Sequence, residues 1–119
     1  MTAATLATIQ GIYFLLTGVW PLFSIKTFMA VTGPKTDLWL VKTVGAVLAV
    51  IGAVLIVAGR GDEVTSAIAL LAAGSAAALA CVDVIYAARG VISPIYLADA
   101  VAEAALVIFW FVFYFLKTA

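Results

Sequence analysis

Four ionisable side chains stand inside apolar stretches of this 119-residue chain: Lys42, Asp83, Asp99 and Glu103. A charge at the centre of a membrane helix costs about 2.5–3.5 kcal/mol. Such groups therefore turn inward, pair with one another and mark sites. Asp99 and Glu103 are four residues apart, so they stack on one helix face and repel each other when both are ionised. Lys42 is expected to offset one negative charge, and Arg89, at the mouth, another. Three acids against two bases leave one carboxyl without a basic partner. Glu103 is expected to hold a proton near neutral pH. That chemistry suits proton exchange linked to a small solute or ion. A purely structural ion-pair network is the competing reading.

The elements that must position these groups follow from composition. The chain is 67% hydrophobic and 10% charged, whereas a soluble domain carries roughly a quarter charged residues. An all-α membrane protein is expected, a four-transmembrane-helix bundle with short loops forming a single domain over residues 1–119. The spans are expected at about 5–23, 38–58, 65–87 and 94–116. The first is read as a retained helix, because no Lys or Arg precedes its apolar run as a signal peptide would require. Ser24 to Asp37 reads as the longest loop, turning at Gly33-Pro34, with Phe28 and Met29 along the interface. Thr36 or Asp37 is expected to cap the second span, and Asp62 or Thr65 the third. Ser93 is the expected cap of the fourth, with Pro94 at its first helical position.

At 1.5 Å of rise per residue, Lys42 and Asp83 lie about 6 Å in from the face of loops one and three. Asp99 lies about 6–8 Å deep, and Glu103 about 12–14 Å deep, close to a midplane at about 15 Å. Gln10, Tyr13 and Thr17 form a stripe on the first helix that could extend the polar path. Interhelical hydrogen bonding is the simpler reading of that stripe. Lys26, Lys35 and Arg89 flank loops one and three, against Arg60 and Lys117 on the other side. This bias favours termini outside and loops one and three in the cytoplasm, and it leaves dual topology open.

Small residues predict which faces meet, since close backbone approach drives helix association in lipid. Gly11 and Gly18 stand on the first helix and Gly45, Ala49 and Gly52 on the second. Ala69, Ala73, Ala76 and Ala80 stand on the third. Close, left-handed bundle packing is expected. The fourth helix ends in Phe109, Trp110, Phe111, Phe113, Tyr114 and Phe115, too many rings to point inward together. Contact with lipid or a partner is expected there, with Trp110 and Tyr114 at the far interface.

The stretch from Val31 to Gly45, preceded by Trp20-Pro21, resembles small uncharacterised four-helix inner-membrane proteins of bacteria. The resemblance is strongest over residues 10–55, and it implies a bacterial inner-membrane location without an activity to transfer. Length and span count are also similar to the small multidrug resistance transporters, which carry an acid in their first helix where this chain has Gln10.

Three function classes compete. A proton-linked binding or transport protein, oligomeric because one bundle is too narrow to enclose a route, accounts for the acids. A non-catalytic accessory or structural subunit of a larger membrane complex accounts for the short loops and the aromatic end. An enzyme is not expected, since nothing here pairs a nucleophile with a base. One cysteine, Cys81, and no histidine leave no familiar metal or haem ligand set, so no cofactor is expected. The expected partners are the lipid bilayer and a second copy or a larger complex. The absence of any basic patch gives no reason to expect nucleic acid.

Overall fold

The computed structural model describes residues 1–118. Five helices follow in order: α1 (Ala3–Phe23), α2 (Ile25–Thr32), α3 (Leu38–Arg60), α4 (Ser66–Ala88) and α5 (Tyr96–Trp110). A π-helical turn, Phe111–Phe115, continues α5. Four helical stretches are long and apolar enough to cross a membrane: α1, α3, α4 and Tyr96–Phe115. At 20–23 residues each, they match the roughly 30 Å hydrocarbon core. The chain is an all-α membrane protein built as a four-helix bundle.

The strongest seam joins α1 to α3, running antiparallel. Gly11 abuts Gly52, Gly18 abuts Gly45, and Gly59 abuts the carbonyl of Ala4. The α3 glycines recur every seven residues, so one narrow line of α3 touches α1 at each tier. A Cβ on Gly11 would lie 2.7 Å from the Gly52 carbonyl oxygen, and one on Gly52 would lie 2.6 Å from that of Gly11. No side chain fits between backbones this close. The sequence expectation for Gly11, Gly18, Gly45, Gly52 and Ala49 is realised here, and Gly59 adds a further tier.

The second hairpin is α4 with α5. Where α1 and α3 bury glycine, α4 buries alanine: Ala69, Ala72, Ala73 and Ala76 lie in the core of the bundle. Leu6, Phe14, Leu55, Leu106 and Trp110 fill the space between the hairpins.

Local chemistry sets the ends. Thr2 caps α1 by accepting from the Thr5 N–H, and Thr65 caps α4 by accepting from the Ile68 N–H. Asp62 instead takes a left-handed φ of +52° in the second loop. Asp37 precedes α3 without a side-chain capping bond. Ser93 Oγ accepts from the Ile95 N–H, and an i→i+3 turn through Pro94 delays α5 until Tyr96.

Two features depart from the sequence reading. The first loop contains a helix, because Ser24 ends α1 and at once caps α2 through the Thr27 N–H. Phe28 is thereby buried edge-on to Trp20, with ring centroids 5.4 Å apart. The π turn was equally unforeseen, and it re-aims the aromatic end within one turn.

The glycine seam yields a stability test. Gly52→Leu should destabilise the detergent-solubilised protein by about 2 kcal/mol or more, as overpacking against backbone does. Gly74, whose added Cβ meets nothing within 4 Å, should accept Ala with no loss. Thermal unfolding of the two variants side by side checks the contrast; equal midpoints would refute the seam.

Candidate functional site

Two polar residues of α1 reach across to the second hairpin. Gln10 is fully buried; its Nε2 donates to the Ala72 carbonyl at 2.8 Å and its Oε1 accepts from Trp110 Nε1 at 2.7 Å. One side chain thus satisfies both ends of its amide on two different helices, as a polar group in hydrocarbon must. Tyr13, three residues on, donates its hydroxyl to Asp99 Oδ1. Interhelical hydrogen bonding is the role the structure gives both. Thr17, next on the stripe, is half-buried and makes no side-chain hydrogen bond among the described residues.

Asp83, Asp99 and Glu103 do converge. Asp83 is 4% exposed and continues the buried face of α4, seven residues beyond Ala76. Glu103 is 1% exposed and lies on the α5 face that carries Ala100, Leu106 and Trp110. Asp99 is half-buried, and the carboxyls of Asp83 and Glu103 are its neighbours. A carboxylate only accepts. With every carboxyl ionised, Asp83 Oδ2 and Glu103 Oε1 are buried with no partner. A contact between two carboxyls is a hydrogen bond only where one of the two holds a proton.

The bases are elsewhere, which corrects the expected charge balance. Lys42 is exposed on α3 and has no polar partner among the described residues. The glycine seam fixes the rotation of α3, and at about 100° per residue Lys42 then lies about 140° round the helix from Val47 and about 180° from Ile51, which line the groove against α4. The depth estimate for Lys42 could not reveal this, because depth says nothing of rotation. Arg89 is also exposed, at the end of α4, with its guanidinium 6.0 Å from the Tyr86 ring centroid. Among the described residues, neither cation meets an acid.

Trp110 was expected at an interface and is instead completely buried. Its seven-residue spacing from Glu103 was the available signal, since both then share a face. Lys35 was read only as a loop charge. It sits 5.0 Å from the Tyr96 ring centroid, one turn before Asp99. An apolar groove of about 290 Å³ between α3 and α4 is lined by Val44, Val47, Leu48, Ile51 and Leu79 among others, and no acid lines it. Among the described residues, no three His, Cys, Asp or Glu side chains are grouped to hold a metal ion.

Replacing Gln10 by Leu should cost about 1–3 kcal/mol, chiefly by stranding the buried Trp110 N–H. A double-mutant cycle with Trp110→Phe should give a coupling of about 0.6–1.7 kcal/mol, the range for such bonds in membrane proteins. Zero coupling in unfolding free energies would contradict the pairing.

Comparison with protein-family models, with curated proteins and with solved structures finds no match for this chain.

Proposed function

We propose that this protein binds or moves a small solute or ion coupled to protons, with Asp83, Asp99 and Glu103 as the proton-holding groups. The observation that carries the reading is the pair of buried carboxyl oxygens, on Asp83 and Glu103, that face a third carboxyl with no cation beside them. Such an arrangement is poor as structural glue. Apolar or amide side chains would fill the same space without the burden of buried like charges. It is well suited to taking up and releasing protons, because each proton gained creates a hydrogen bond and each one lost creates repulsion. Tyr13 orients Asp99 and supplies a hydroxyl within the same cluster. The setting we propose is the bacterial inner membrane, with the termini outside, the bilayer and a second copy of the chain as partners, and no enzymatic activity.

One observation favours a second reading, a non-catalytic accessory subunit of a larger membrane complex. The groove between α3 and α4 is wholly apolar and open at the surface, beside an α3 flank of exposed Val44, Val47 and Val54. Mild-detergent purification separates the two: a stoichiometric larger partner supports the accessory role, and a stable homo-oligomer supports the first reading.

In proteoliposomes under a pH gradient, the protein should show a pH-dependent solute or ion flux, and Glu103→Gln should remove the pH dependence. Asp83→Asn should weaken it. Flux that is identical in all three proteins would overturn the proton-linked reading.

A further inference from the structure

The two hairpins are bound internally and to each other by different means. Every glycine at which an added Cβ would press into another helix lies in the seam between α1 and α3. Between the hairpins there is no comparable approach of backbones at a glycine. Polar side chains connect them instead: Gln10 to Ala72 and Trp110, and Tyr13 to Asp99. A third connection closes the face of loops one and three, and it belongs to Lys35.

Lys35 Nζ donates to the Thr32 and Gly33 carbonyls at 3.2 Å each, at the C-terminal end of α2, where unpaired carbonyls favour a cation. The same ammonium lies 5.7 Å from the Phe28 ring centroid and 5.0 Å from that of Tyr96. Phe28 belongs to the first hairpin, braced by Trp20, and Tyr96 opens α5 in the second. One cation is therefore held between rings of both halves. Beside it, Gly33 turns with φ of +98°, and a Cβ there would lie 3.6 Å from Ser93 Cβ. Below it stands the acid cluster. Tyr96 precedes Asp99 by three residues, so the two share a face of α5 one turn apart.

We propose that Lys35, gripped between Phe28 and Tyr96, is a latch that shuts the face of loops one and three over the acids. Its release lets the hairpins part there while Gln10 keeps them joined deeper in the bundle. The charged and titratable groups around the opening are Tyr13 from α1, Asp83 from α4, Tyr96, Asp99 and Glu103 from α5, and Lys35 itself. The proposal rests on reading the acids as a proton-holding site, and it names the route by which water and protons reach them. A latch of this kind shifts the balance between closed and open forms without altering the site itself.

The test uses the protein in phosphatidylcholine proteoliposomes and a water-soluble carbodiimide, with modified carboxyls located by peptide mass mapping. Lys35→Met and Tyr96→Leu keep side-chain bulk and remove the cation–ring contact. Each should raise the labelling rate of Asp99 and Glu103 on the order of tenfold, while Tyr96→Phe, which keeps a ring, should label at the unaltered rate. In a Cys81→Ser background, Gly33→Cys with Ser93→Cys places two Cβ atoms at a separation that suits a disulfide; cysteine is strained at the left-handed φ of position 33, so the reduced double variant is the reference. The oxidised form should label more slowly than the reduced one. Equal labelling in the unaltered protein, Lys35→Met and Tyr96→Leu, together with no effect of oxidation, would overturn the latch. Faster labelling in these variants with a flux indifferent to Glu103→Gln would leave the latch standing and remove the proton-linked reading. The reverse pattern would do the opposite.

Discussion

Hydrocarbon offers no hydrogen bonds, so every buried polar group in this bundle must be satisfied by another part of the chain or by a proton. The arrangement of the two hairpins follows from that constraint. Gln10 meets it with both ends of one amide, and in doing so places α4 and α5 relative to α1. Tyr13 meets it through Asp99. Among the described residues, Asp83 Oδ2 and Glu103 Oε1 have no hydrogen-bond partner, and a neighbouring carboxylate can only accept. The site is thus the place where the rule that organises the rest of the bundle is met incompletely.

The contrast between the two kinds of seam gives this site its mechanical setting. Glycine tiers lock α1 to α3 at backbone distance, and any opening there would leave voids along the whole length of both helices. Side-chain pins between the hairpins are discrete and can be released singly. The acids sit among those pins, between Gln10 and the Lys35 contact, rather than within either seam.

Much of this was legible in the sequence, and the failures share a cause. Span number, span limits and the glycines of α1 and α3 could be read because apolar length and small-residue spacing are local signals that lipid leaves unaltered. That Asp83, Asp99 and Glu103 lie in the same half of the bilayer was legible from their positions along the helices, but their convergence was not, because it depends on helix order and rotation. Lys42 was misplaced because depth along a helix does not give rotation about it; rotation was decided by Gly45, Gly52 and Gly59 meeting α1. Trp110 was drawn to the interface by its residue type, yet a buried acceptor on Gln10 outweighed that preference. The helix α2 was hidden because Ser24 does two jobs at once, ending one helix and capping the next.

The central claim is that three carboxyls share protons in a cation-free interior, and infrared difference spectroscopy of the protein in lipid at neutral pH addresses it most directly. The account predicts a protonated-carboxyl C=O band that shifts on deuteration and shrinks in both Asp83→Asn and Glu103→Gln proteins. A spectrum containing carboxylate bands alone, the same in all three proteins, would contradict it.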